Sequence, residues 1–363
     1  MKIVFLIHSL RKGGAERLAL ELASSQELLK SSITIVSWVK NKEYQEEKYS
    51  RIKYLYIIEE RDYRWTLSLL NSSKKFRTLM QGISPQAVFI FSHSVLWLAL
   101  LSRYKTIYIN VIQGFGQISQ KKYLKKLIYR IVDRICSKTL KFKIIAPTKE
   151  LCMESLKYFG MQKSDGQVIP NGIDISSSYK KSLNNKKFVI SMLGTLSKHK
   201  GQHLAIKPFL SVFENYPSCE LNIIGDGILK DDLINEVKTL ELEENIRILG
   251  RRDDAFEILV NSNIFWHLSR SEGMPLAVIE AMALGLPIVA FNVRGVKDVV
   301  ENGNNGFLCD YGNLEQISSS TIGLINSPND LQRFSNHSKN LFNEKYTKDL
   351  MLERYQNYIK NLL

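Results

Sequence analysis

Short runs of β-branched and aliphatic residues, each followed by a segment with helical spacing, constrain this chain more than any other feature. They fall at residues 2–7, 33–36, 54–58, 87–91, 107–112 and 143–146, with helical segments such as 15–29 between them. A second series follows at 188–193, 220–224, 246–249, 264–268 and 287–290. Continuous apolar strands alternating with helices predict a parallel sheet covered on both faces. The recurrence predicts two of them, an α/β chain of two Rossmann-like, doubly wound domains facing across a cleft. A length of 363 residues leaves room for both. The stretch 160–187, rich in Ser, Asn, Lys and Gly, holds the turn signal Pro170-Asn171-Gly172 and is the natural joint. The division therefore reads as a first domain over 1–170, a linker over 171–187, a second domain over 188–345, and a helix over 346–363 returning to the first domain.

Composition narrows the class. Hydrophobic residues make up 44% and charged residues 24%, as in an ordinary globular protein. Cys136, Cys152, Cys219 and Cys309 form no C-x-x-C pair, so neither a zinc cage nor a redox dithiol is indicated, and a reducing cytosol fits best. The opening run lacks the basic region and small-residue cleavage site of a signal peptide. The most apolar stretch, 89–101, contains His93 and falls short of the ~20 residues that span a bilayer. A net charge of +14 calls for a polyanionic partner or an anionic surface, without choosing among phosphates, lipids and nucleic acid.

Ligands of open α/β sheets bind where strands end and helices begin. The strongest such junction is Ser271-Glu272-Gly273-Met274-Pro275-Leu276 and onward to Gly285. Pro275 suits a first helical position and Gly285 a position just past the end, predicting a helix of about ten residues. Its free amides would receive a phosphate beside Gly273 and Met274. Glu272 and Glu280 lie eight residues apart, roughly 12 Å along a helix, and are predicted to flank one side of it. An isolated E-x7-E would more simply be a cap and a surface charge. Glu280, however, sits inside the apolar run 276–284, where a carboxylate needs a bonding partner. A second junction, Gly194-Thr195-Leu196-Ser197-Lys198-His199-Lys200-Gly201, either offers Lys200 to a diphosphate or is an exposed basic turn. Ile224-Gly225-Asp226-Gly227 reads as a strand-to-helix turn. In the first half, Arg11-Lys12-Gly13-Gly14 lacks the third glycine of a dinucleotide fingerprint, and 33–36 runs into Ser37-Trp38 instead of an acidic residue, which weakens a dehydrogenase reading.

Taken in order, these motifs resemble glycosyltransferase family 4, retaining enzymes of the two-domain GT-B fold. The resemblance spans almost the whole chain: Gly13-Gly14-Ala15-Glu16-Arg17, Pro170-Asn171-Gly172-Ile173-Asp174, Lys200-Gly201, 224–227, Leu249-Gly250-Arg251 and the block from Glu272 to Gly306. It implies that Glu280 holds the donor ribose and Glu272 the hydroxyls of the transferred sugar. Gly273, Met274 and Leu276 would give amides to the diphosphate, Lys200 would neutralise the leaving group, and Arg251 and Arg252 would lie against the base. Gly13 and Gly14 would close over the diphosphate from the other domain. Gly194 would leave backbone room, while Thr195 stands where family members commonly carry Arg, a loss that Lys198 or Arg11 would offset. Many members also carry a first-domain His where this chain reads Gln113-Gly114-Phe115-Gly116; that form looks like a subset extending lipid-linked sugars in bacterial polysaccharide assembly, O-antigen or capsule.

The implied reaction moves a hexose or N-acetylhexosamine from a nucleoside diphosphate sugar, with UDP the expected carrier, to a lipid-linked or oligosaccharide acceptor. It needs no cofactor and no metal. His93, Gln113 and Gly114 are candidates on the acceptor side, though a packed or capping imidazole is the simpler account of His93. Segment 121–134, from Lys121 to Arg134, mixes basic and apolar residues at helical spacing and reads either as a helix packed on its sheet or as one adsorbed to anionic lipid. The expected location is cytoplasmic, peripheral on the inner face of the cell membrane. Three rivals remain at this level, one of them a catalytically dead scaffold, kept open by Thr195. A UDP-sugar 2-epimerase of the same architecture would convert donor alone, and a basic nucleic-acid-binding protein would need a recognition motif that the sequence does not show.

Overall fold

The computed structural model describes residues 1–10, 13–25, 29–41, 49–59, 65–114, 123–175, 179 and 187–362, with 65–68 and 123–126 as backbone only. The chain divides into two compact units, Met1–Asn171 with Asp349–Leu363, and Gly172–Lys348.

In the first unit, β1 (Lys2–Ile7), β2 (Ser32–Lys40), β3 (Lys53–Glu59), β4 (Ala87–Ile90), β5 (Ile107–Val111), β6 (Lys143–Ala146) and β7 (Gly166–Val168) form one sheet in the order β3-β2-β1-β4-β5-β6-β7. All its neighbouring strands are parallel. Side chains alternate across it, as the pleat requires. Ile3, Phe5 and Ile7 enter one core with Leu18 and Leu22 of α1 (Gly14–Ser24). Val4 and Leu6 enter the other, against α2 (Trp65–Ile83), α3 (His93–Ser102), α4 (Tyr123–Leu140) and α5 (Lys149–Phe159). Thr148 opens α5 by accepting from the Leu151 amide at 3.2 Å, and Gly160, at φ 70°, closes it.

The second unit repeats the scheme with β8 (Val189–Leu193), β9 (Glu220–Ile224), β10 (Ile246–Gly250), β11 (Ile264–His267), β12 (Ile288–Phe291) and β13 (Gly306–Cys309), in the order β10-β9-β8-β11-β12-β13, again parallel. Its helices are α6 (Ile206–Asn215), α7 (Lys230–Thr239), α8 (Ala255–Val260), α9 (Leu276–Ala283), α10 (Leu314–Asn326) and α11 (Pro328–Lys345). Trp266 faces one core and donates its indole N–H to Thr321 at 2.9 Å, whereas Phe265 faces the other. A last helix, α12 (Lys348–Leu362), sends Met351, Leu352, Tyr355 and Ile359 into the core of the first unit.

Strand order reverses between β1 and β4 in one sheet and between β8 and β11 in the other. At those two places the loops leaving the carboxyl ends diverge and open a crevice.

The structure departs from the sequence reading at several points. β7 lies inside the stretch read as a joint, and β13 follows the last run recognised; each is the edge strand of its sheet and short. The linker assigned to 171–187 is corrected at its start, because Ile173 is buried and bonded on both sides to the second unit, its N–H to the Tyr346 carbonyl at 3.0 Å and its carbonyl to the Lys348 N–H at 3.0 Å. Residues 176–178 and 180–186 lie outside the described residues. The second crossing falls after Lys348 instead of 345, since Tyr346 packs in the core of the second unit. No helix of the described residues is long and apolar enough to cross a membrane.

Candidate active site

The β8/β11 crevice is built by backbone pressing on backbone. After β8 the loop 194–201 runs against the turn after β9: the Gly194 N–H bonds the Ile224 carbonyl at 3.0 Å and the Leu196 N–H the Asp226 carbonyl at 2.9 Å. A Cβ on Gly225 would stand 1.9 Å from the Gly194 carbonyl oxygen, and one on Gly201, at φ 78°, would stand 1.9 Å from that of Leu268. Only glycine permits both approaches. The turn at 225–227 thus has the structural role its sequence indicated, and it holds Lys200 at the mouth of the crevice.

The loop after β11 supplies the opposite wall. Its Arg270 N–H bonds the His199 carbonyl at 2.9 Å, and the His199 ring nitrogen Nε2 lies 2.8 Å from the Ser271 carbonyl oxygen. These contacts bring together side chains 72 residues apart. Lys200 Nζ lies 2.8 Å from Glu272 Oε1, and His267 Nε2 lies 3.2 Å from the same oxygen. Burial alone would push the Glu272 carboxyl up. The His267 hydrogen bond and charge, and the Lys200 ammonium, outweigh it and hold the group well below the usual carboxylate range. Lys200 is therefore engaged by Glu272, a pairing that sequence reasoning did not foresee. His267, last residue of β11, was not foreseen, because a single histidine inside the apolar run 264–268 reads as core.

Helix α9 is shorter than expected. It covers Leu276–Ala283, with Pro275 as its extended N-cap instead of its first helical residue. Glu272 accordingly precedes the helix, and the two carboxylates do not share a helical face. Pro275 has no side chain to cap the turn, and among the described residues no backbone acceptor takes the N–H groups of Gly273, Leu276 or Ala277. Such an end suits an anion. The other end closes as foreseen: Gly285, at φ 74°, donates to the Met282 carbonyl at 2.9 Å and Leu286 to that of Ala281 at 2.9 Å. Glu280 is 7% exposed on α9, among Val278, Ile279, Ala281 and Met282. Met274 is buried and Leu276 half-buried.

Other sequence candidates fall less centrally. Thr195 and Lys198 are exposed, and Arg11 and Lys12 lie outside the described residues. Arg251 and Arg252 follow β10 and are exposed; Arg252 is forked onto Asp254, with Nε 2.7 Å from Oδ1. In the first unit, Gly13 is the extended N-cap of α1, and Gly14 has open space where a Cβ would stand. Gln113 Oε1 accepts from Asn171 Nδ2 at 2.7 Å, Gly114 is exposed, and Phe115 and Gly116 lie outside the described residues.

His93 opens α3 at the β1/β4 crevice, and its Nε2 lies 2.7 Å from Asp133 Oδ2. Asp133, fully buried on α4, also accepts from Trp97 Nε1 at 2.9 Å and the Tyr158 hydroxyl at 2.7 Å, so one carboxylate clips three helices. Asp133→Ala would strip three donors of their acceptor, and we expect it to cost about 2–3 kcal/mol, read as a lower denaturant midpoint. On the opposite side of α4, Leu127, Ile128, Ile131 and Ile135 are each about half exposed, beside exposed Arg130, Arg134 and Lys138. Lys121 and Lys122 lie outside the described residues.

Residues 12–177 match the family described as Glycosyltransferase Family 4, and residues 175–341 match that described as Glycosyl transferases group 1. The chain is a glycosyltransferase, a Glycosyltransferase Family 4 domain followed by a Glycosyl transferases group 1 domain. This glycosyltransferase is 28% identical over 362 residues to an uncharacterized glycosyltransferase of Haemophilus influenzae, covering 98% of this chain and 99% of that protein. It is 30% identical over 230 residues to the UDP-Gal:alpha-D-GlcNAc-diphosphoundecaprenol alpha-1,3-galactosyltransferase of Escherichia coli, covering 59% of each. Among solved structures it is similar to HepE of Anabaena in complex with UDP, with a TM-score of 0.82 at 18% identity over 99% of this chain and 100% of that one. The fold of this glycosyltransferase is thus GT-B, two parallel-sheet α/β domains.

Proposed function

We propose that this glycosyltransferase moves a hexose or N-acetylhexosamine, with retention of configuration, from a UDP-sugar to a lipid-linked sugar acceptor in surface polysaccharide assembly. The observation that carries the reading is the convergence of Lys200, Glu272 and the uncapped start of α9 at the β8/β11 crevice. Amides of Gly273, Met274 and Leu276 with the Lys200 ammonium receive the diphosphate, Glu280 the ribose, Glu272 the transferred sugar, and the loop at Arg251 and Arg252 the base. Charge that builds on the departing diphosphate is met by groups already in place, the cheapest form of transition-state stabilisation. The same groups make a metal unnecessary. Attack comes from the face the diphosphate leaves, its oxygen taking the acceptor proton. A lipid-linked acceptor is supported by the Escherichia coli relative, whose name specifies a diphosphoundecaprenol-linked substrate.

Mass spectrometry of UDP-sugars incubated with undecaprenyl-diphosphate-linked sugars tests the reading. A glycosylated lipid with the donor's anomeric configuration is the expected product. An epimerised UDP-sugar formed from donor alone would establish the rival reaction instead.

The outward side of α4 supports peripheral attachment to the inner leaflet, since apolar side chains flanked by cations adsorb to anionic lipid. Vesicles containing phosphatidylglycerol are expected to sediment the protein, and the pair Ile128→Asp and Ile131→Asp to weaken that partition about tenfold. Equal binding by the doubly substituted protein would remove α4 from the attachment.

A further inference from the structure

Both hydrogen bonds made by the Glu272 carboxylate fall on one oxygen. Oε1 takes Lys200 Nζ at 2.8 Å and His267 Nε2 at 3.2 Å, while Oε2 has no partner among the described residues. The two partners differ in freedom. Lys200 is held on a flexible stem and its side chain is 32% exposed, whereas the His267 side chain is 6% exposed and its ring stacks on Phe265 at 6.3 Å within the same strand. The backbone beneath the carboxylate is also fixed: the Glu272 N–H bonds the Arg294 carbonyl at 3.0 Å, and a Cβ on Gly295 would come within 2.5 Å of the Glu272 carbonyl oxygen.

We propose that His267 is a positioning residue for the donor sugar, keeping Glu272 aimed and ionised when an incoming diphosphate draws Lys200 away. The inference rests on the donor-site reading above and adds to it a division of labour. A diphosphate carries more negative charge than one carboxylate, so it wins the mobile ammonium. A carboxylate this buried, left with no partner, would turn towards solvent or take up a proton. The imidazole N–H, fixed on β11, stays on Oε1 and leaves Oε2 to accept from a hydroxyl of the transferred sugar. His267 itself touches neither nucleotide nor sugar. Its effect therefore belongs to the sugar alone.

Calorimetric titration with UDP, and with whichever of UDP-glucose, UDP-galactose and UDP-N-acetylglucosamine binds best, separates the two parts. His267→Leu should weaken the UDP-sugar about tenfold, the worth of one hydrogen bond to a charged group, and leave UDP within about twofold. His267→Gln, which keeps an N–H at similar reach, should restore most of the loss. In a Glu272→Ala background, which removes the acceptor of the His267 N–H, His267→Leu should add nothing, because the histidine acts through that side chain. Equal weakening of UDP and UDP-sugar, additive losses, or an unchanged His267→Leu protein would each overturn the proposal while the donor site stands. If Glu272→Ala itself leaves UDP-sugar affinity untouched, the donor-site reading falls, and this inference with it.

Discussion

Glu280→Ala is expected to lower kcat/KM by about 10²–10³-fold, chiefly through loss of donor affinity. Glu280 is 7% exposed in the body of α9, within the buried run 278–282. A carboxylate facing a ribose diol makes charge-assisted hydrogen bonds, each worth about 1.5–3 kcal/mol, so losing two near the lower end of that scale accounts for the expected drop. Alanine is the best helix former, and α9 should keep its length. Far-UV circular dichroism and the melting temperature check the fold, and isothermal titration with UDP checks binding. Wild-type turnover in a folded Glu280→Ala protein would sink the assignment of the ribose site.

Lys200→Met should cost about 10²–10³-fold in kcat, with donor KM moving less. The side chain is isosteric over most of its length, so the loop contacts of His199 and Gly201 survive while the charge is gone. Charge on the departing diphosphate is greatest in the transition state, which is why the loss should show in kcat. Lys200→Arg keeps the charge in a planar, bulkier head and should recover part of the rate. A Lys200→Met enzyme slowed only through donor KM would assign the lysine to ground-state binding.

The fold was legible because strands buried on both faces are written as near-continuous apolar runs, and 33–36, 87–91 and 264–268, interrupted only by Thr34 and His267, are such runs. β7, spelled Gly166-Gln167-Val168, and β13, spelled Gly306-Phe307-Leu308-Cys309, each pair on one side only and carry less of that signature. Glu272 and Lys200 could be picked out individually because each follows a strand. Their pairing could not, since it depends on β8 lying beside β11, a matter of sheet order. Two polar residues escaped for opposite reasons. His267 is masked by an apolar strand, and Asp133 by the basic run from Lys121 to Arg134, although its place on the inner side of α4 makes it the one acid there that must be bonded.

The passage of α12 into the first core has a consequence for how the protein is made. The second unit is one uninterrupted segment, Gly172–Lys348, but the first draws Met351, Leu352, Tyr355 and Ile359 from beyond it. As the chain leaves the ribosome, the later-translated unit acquires all its residues while the earlier one still lacks a wall over β1 and α1. The usual amino-to-carboxyl order of domain completion is thereby reversed. A nascent chain stalled before residue 349 would expose the apolar surface that α12 covers, and chaperones would find their target there.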